Sequence, residues 1–208
     1  YAAFSFLVCT VLLLFSTGAF TKGYFHPQLL AITHIMALGW GTMIILGASH
    51  QLVPVITGVN LYSTRLAAFT FILAAAGIPL LVYGFYDFNM GWPARWGGRL
   101  ILLAVICYVY NLMGTIRKSR TKNVHAFFIL SASVWLLFTV SFGLVLLYNF
   151  TYPFLEKESF DYLPLHAHTG IAGWFLLLVT GVGSRLIPMF LFSKYSNTKL
   201  LWAIFIFI

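Results

Sequence analysis

Acidic side chains are nearly missing from this chain: Asp and Glu together number 4 in 208 residues, and all charged residues make up only 8%. Soluble domains carry roughly 25% charged residues, so a water-facing globule is excluded. Asp87 is the only acid before position 156, which leaves little for ion coupling and argues against an ion transporter. Cysteine is scarce as well. Cys9 and Cys107 both fall in apolar runs and form no CxxC or CxxCH pattern, so covalent c-type haem attachment is not encoded; they read as small buried hydrophobes. Strand-like alternation is absent, which removes a membrane barrel. The first apolar run has no basic flank and no small-residue cleavage pattern, so it reads as a span rather than a signal peptide.

What is present is hydrophobic and aromatic: 61% and 18% of the residues. The apolar runs are about twenty residues each, enough to cross ~30 Å of hydrocarbon as helices, the form that satisfies its own backbone there. The expected fold is an all-α polytopic bundle forming one membrane domain over 1–208, with spans at 2–20, 28–52, 64–86, 98–116, 124–149, 166–192 and a seventh opening near 199. The start at Tyr1 and the stop inside an apolar run are expected of a portion of a longer chain. The net charge of +8 sits in short loops. Arg117, Lys118, Arg120 and Lys122 share one loop and Lys194 and Lys199 another, an even number of crossings apart, so both are expected on the cytoplasmic side. Lys22, the Asp87–Arg99 segment and the loop with Glu156, Lys157, Glu158 and Asp161 then face outward; Arg95 and Arg99 depart from the simple rule. The basic excess is a topology signal. The partner it implies is a lipid bilayer, of the bacterial inner-membrane kind, and not nucleic acid.

One motif occurs twice, 134 positions apart: His34-(x4)-Gly39-Trp40-(x6)-Gly47-(x4)-Leu52-Val53-Pro54, and His168-(x4)-Gly173-Trp174-(x6)-Gly181-(x4)-Leu186-Ile187-Pro188. The two spans lie four crossings apart and run parallel, which sets His34 and His168 at matching depth on the outer half. Two equivalent helices can offer two imidazoles to one object, and the object that takes two axial imidazoles is a haem iron. An interhelical hydrogen bond is the plainer role for an intramembrane histidine, but a repeated pair at one depth favours a functional one. The glycines of both copies flatten a face, for a porphyrin or for helix packing.

The other candidates are set against this pair. In His166-Ala167-His168, neighbours two apart on a helix point about 200° from each other, so the two rings cannot ligate one iron but can face two cofactors. His26 is expected at the membrane surface, and His50 and His125 near the cytoplasmic side, as interfacial residues, a second cofactor site or a proton path. Arg95 and Arg99 lie at the level where a haem would direct its propionates; bidentate carboxylate pairing and interfacial anchoring both suit them. Trp40 and Trp174 suit either a ring edge or ordinary core packing.

The segment from His26-Pro27 through His34, Gly39-Trp40 and Gln51-Leu52-Val53-Pro54, with the His-x-His helix from His166 and His168 through Gly173-Trp174 to Arg185-Leu186-Ile187-Pro188-Met189-Phe190, resembles short relatives of haem-copper oxidase subunit I. The resemblance is concentrated in about sixty residues. It implies a low-spin haem b on His34 and His168, with His166 in the place of the proximal ligand of a second, oxygen-reducing haem. The departures matter equally. Such an oxidase needs three further histidines for copper, whereas His125 is the only histidine from 51 to 165, so copper is not expected; and four crossings separate the copies where the oxidase has eight. The expectation is therefore a membrane haem b protein, with one haem and room for a second, moving electrons within a respiratory assembly beside a quinol or cytochrome donor. A haem- or nitric-oxide-sensing or haem-handling protein without turnover is one alternative, and a cofactor-free structural bundle another.

Overall fold

The computed structural model describes residues 1–119, 123–193 and 197–207, and among these every regular element is helical. Seven helices follow in order: α1 (Ala2–Phe15), α2 (Pro27–Thr57), α3 (Thr64–Tyr86), α4 (Trp92–Lys118), α5 (Val124–Asn149), α6 (Ser159–Phe190) and α7 (Thr198–Phe207). Helices α2 to α6 are long and apolar enough to cross a membrane, so the chain is an integral membrane protein built as a helical bundle. Arg120, Lys122 and Lys194, part of the charge pattern used for topology, lie outside the described residues.

The seven expected apolar runs are all helical, and five of the helices are of spanning length. The described parts of the two outermost helices are apolar as well, 14 residues in α1 and 10 in α7. The first run is cut at Ser16, after which Thr17–Ala19 winds into a tighter 3₁₀ turn.

Local chemistry sets the helix ends. Pro27 stands in the first turn of α2, where its missing N–H costs nothing. Gly58 closes the same helix in the left-handed conformation at φ 67°, which a residue without Cβ adopts freely. Ser63 and Asn123 cap α3 and α5 by accepting the amides of Leu66 and His125. Arg117 and Lys118 fall in the last turn of α4, the favourable end of its dipole for cations. The α2–α3 turn is held by polar groups of α4: Asn111 accepts from the Ser63 amide and donates to the Ser63 carbonyl, and Thr115 accepts from the Tyr62 amide.

Between helices, small residues let backbones meet, as lipid-embedded bundles require. A Cβ at Gly84 would stand 2.7 Å from the Ala94 Cβ, and one at Gly77 would stand 2.8 Å from the Gly97 carbonyl, so α3 and α4 pack at close range. Helices α2 and α6, four crossings apart, also meet: the Trp174 indole donates to the Thr42 hydroxyl at 3.3 Å, and a Cβ at Gly41 would touch the Phe175 ring at 3.4 Å.

The duplicated motif has a backbone counterpart that no residue pattern suggested. After His34, Ile35–Thr42 leaves the α-helix for a π-helical winding, and after His168, Thr169–Leu176 does the same. Each stretch is eight residues long, at the same register to its histidine. Wide i→i+5 winding is rare, is usually confined to a single turn, and recurs at functional sites.

Candidate functional site

His34 ends the α-helical part of α2, and its Nδ1 lies 2.7 Å from the Leu30 carbonyl. A neutral imidazole there donates from Nδ1 and leaves the Nε2 lone pair free, the arrangement in which a backbone carbonyl orients a metal-binding histidine. Phe85 of α3 packs on the ring, with centroids 4.6 Å apart. On α6 the ring that faces His34 is His166: the centroids are 6.3 Å apart and the planes 16° from parallel. Gly143 of α5 makes room for it, since a Cβ there would stand 2.8 Å from His166 Cε1. The Nδ1 of His166 is buried without a hydrogen-bond partner, although the Thr139 carbonyl lies near.

The expected pairing is therefore corrected. His168, the motif equivalent of His34, is exposed and takes no part in the cavity lining, while its neighbour two positions earlier faces inward. The opposed directions of the two side chains follow from helical geometry. Which of them points inward is decided by packing: Gly173 lies against Trp135, and Gly181 against Phe128, both on α5. In α2 the equivalent Gly39 lies against Ser5 of α1. The same glycine face meets a different neighbour in each copy, and the histidine that precedes it is turned accordingly.

Both rings line a cavity of about 230 Å³ that is walled by residues of α2 through α6. Among the described residues lining it, His34 and His166 alone are ionisable; Leu30, Leu38, Leu81, Ile101, Leu136 and Leu147 give much of the rest. Thr33 and Ala167 line it and are themselves exposed, as is Ile171, so it opens sideways between α2 and α6. Trp174 is 1% exposed and lines its floor, whereas Trp40 is 37% exposed, packs on Phe6 of α1, and does not line it.

Arg95 and Arg99 also stand apart. Neither lines the cavity; both lie in the groove between α4 and α5, where Arg99 donates from Nε and Nη2 to the Tyr148 hydroxyl. His125 bridges α5 and α6 through the Gly181 carbonyl and the Ser184 hydroxyl. His26 stands just before the first turn of α2 without a side-chain capping bond, and His50 meets the Tyr108 ring edge-on at 5.4 Å. Phe85, Thr139 and Gly143 complete the surroundings of the two rings and carried no signal in the sequence, because an apolar helix offers many such residues on every face.

The fit to iron can be tested on these residues. An ion about 2 Å from each of two imidazole nitrogens, each nitrogen about 1.2 Å from its ring centre, sets the centres about 6.4 Å apart, against the observed 6.3 Å. No cluster of three or more His, Cys, Asp or Glu suited to a metal exists among the described residues. A bare ion here would have two protein ligands, whereas a porphyrin iron brings four equatorial nitrogens of its own. Two imidazoles with no carboxylate or thiolate beside them among the described residues are a donor set that would suit the iron of a haem. No protein-family model, curated protein or solved structure matches the chain.

Proposed function

We propose that the chain is a membrane haem b protein whose iron is held by His34 and His166, and that it carries electrons within a respiratory assembly of a bacterial inner membrane. The observation that supports this is the pair of near-parallel imidazoles 6.3 Å apart on the wall of a largely apolar cavity. The resemblance to haem-copper oxidase subunit I would instead pair His34 with His168 and set His166 on a second haem, so the His34–His166 assignment rests on the ring geometry alone. His34 and His166 would hold the haem, which would supply reversible one-electron exchange tuned by its ligands and its burial. The protein's own contribution is orientation and exclusion of water. Leu30 fixes the His34 tautomer, Phe85 and Gly143 bracket the two rings, and the leucines around them keep the site dry. The donor on this reading is a quinol or a cytochrome, with residues 117–122 on the cytoplasmic side.

An optical spectrum of the purified protein, oxidised and dithionite-reduced, tests this reading. Paired sharp bands in the reduced form are expected, and they should vanish in His34→Ala and in His166→Ala. A colourless wild-type protein, purified from cells supplied with haem, would end the proposal.

A further inference from the structure

The cluster of Arg95, Arg99 and Tyr148 is rich in donors and poor in acceptors. The two arginines stand one helical turn apart in the first turns of α4, and both are half-buried. Their faces are occupied by rings: Arg95 lies over Tyr148 and Tyr152, at 5.3 and 5.1 Å, and Arg99 over Trp96 and Tyr148, at 4.9 and 5.6 Å. Stacking satisfies the face of a guanidinium and leaves its N–H edge unmet. The Nε of Arg95 is buried without any hydrogen-bond partner. Arg99 has one acceptor, the Tyr148 oxygen, which both its Nε and its Nη2 use. Neither arginine forms an ion pair with a carboxylate among the described residues. Two cations in the first turns also oppose the positive end of the α4 dipole.

Every one of these features is relieved by the same kind of ligand, an anion with several acceptor oxygens. Position decides its source. Trp92, Trp96 and Tyr152 are 67%, 45% and 60% exposed around the pair, and exposed Trp and Tyr at the ends of spanning helices mark the headgroup level of a bilayer. None of the cluster's residues lines the histidine cavity, so the site is separate from the one proposed above. We infer that Arg95 and Arg99, with the Tyr148 hydroxyl, bind the phosphodiester of a membrane lipid between α4 and α5. The guanidinium forks take the two free phosphate oxygens, and the aromatic rings hold the forks upright. This also accounts for basic residues at that end of the bundle, where the charge pattern of the loops did not call for them.

The test is native mass spectrometry of the full chain, delipidated in detergent and titrated with dioleoylphosphatidylglycerol, with inorganic phosphate in a parallel arm. The wild type is expected to retain one lipid, and phosphate at the same concentration is expected neither to bind nor to displace it. Arg95→Lys/Arg99→Lys keeps both charges and the topology but loses the forks; it should bind lipid at least about tenfold more weakly, the equivalent of one lost charge-assisted hydrogen bond. Arg95→Gln/Arg99→Gln should retain none, with the optical spectrum unaltered. Equal retention by the lysine variant, displacement by inorganic phosphate, or loss of haem bands with lipid still bound would each overturn the inference.

Discussion

The two copies of the motif carry the same residues at the same spacing and share the same unusual backbone, yet they live in opposite surroundings. In the first, His34 lines the cavity and Trp40 is turned outward against Phe6; in the second, His168 is exposed and Trp174 is buried at 1%. Gly39 and Gly173 are both tightly packed, but the second glycine pair differs between the copies. Gly47 has nothing within 4 Å of a Cβ, whereas its equivalent Gly181 lies hard against Phe128. Repetition of sequence therefore reproduced the winding of the helix and its direction of travel, but not its rotation about its own axis. Rotation is set by the neighbours, α1 for one copy and α5 for the other, and helices in lipid are oriented by close packing of such small residues.

The largest expected difference between the two copies lies at the histidines. If His34 and His166 hold the iron, His166→Ala loses the reduced-minus-oxidised bands completely while His168→Ala retains them at full intensity. The reverse outcome, read from the same spectra, would restore the motif equivalence and refute the rotation seen here. The tryptophans come next. Trp174→Ala empties a filled core position and should cost about 3 kcal/mol or more, whereas Trp40→Ala, on a half-exposed ring, should cost less than about 1 kcal/mol; denaturation in mixed micelles measures both. Equal losses would mean that the two indoles are equivalent after all.

A smaller contrast is expected at the glycines. Gly181→Ala forces Phe128 aside and should destabilise by about 1–3 kcal/mol. Gly47→Ala meets open space and should be neutral or stabilising by up to about 1 kcal/mol, the difference in helix propensity. The smallest effect is at the contact between the copies. Thr42→Val removes the acceptor of the Trp174 indole and should cost about 1 kcal/mol. A double-mutant cycle with Trp174→Phe should give a coupling near the ~0.6 kcal/mol average for bonds in membrane bundles; no coupling would show that the hydrogen bond does not tie α2 to α6.

Much of the architecture was legible from hydropathy. The interiors of α2 to α6 fall within the apolar runs, since each run must be helical to satisfy its backbone in hydrocarbon. All seven runs are helical, but apolar length alone does not register the break at Ser16, where a 3₁₀ turn follows α1. The π-helical stretches were invisible, because Ile35–Thr42 and Thr169–Leu176 read as ordinary apolar helix. The opposed directions of His166 and His168 followed from helical geometry; the choice between them did not.

Chain chemistry alone established a lipid-embedded helical bundle, two parallel helices with one shared motif, and imidazoles as candidate donors within the apolar runs. These follow from backbone hydrogen bonding and from transfer energies, which depend on residue type and not on neighbours. Tertiary structure decided which ring meets His34, which indole is buried, and that Arg95 and Arg99 belong to a groove outside the cavity. Those outcomes depend on the rotation of each helix, which the close contacts of Gly39, Gly173 and Gly181 with other helices determine.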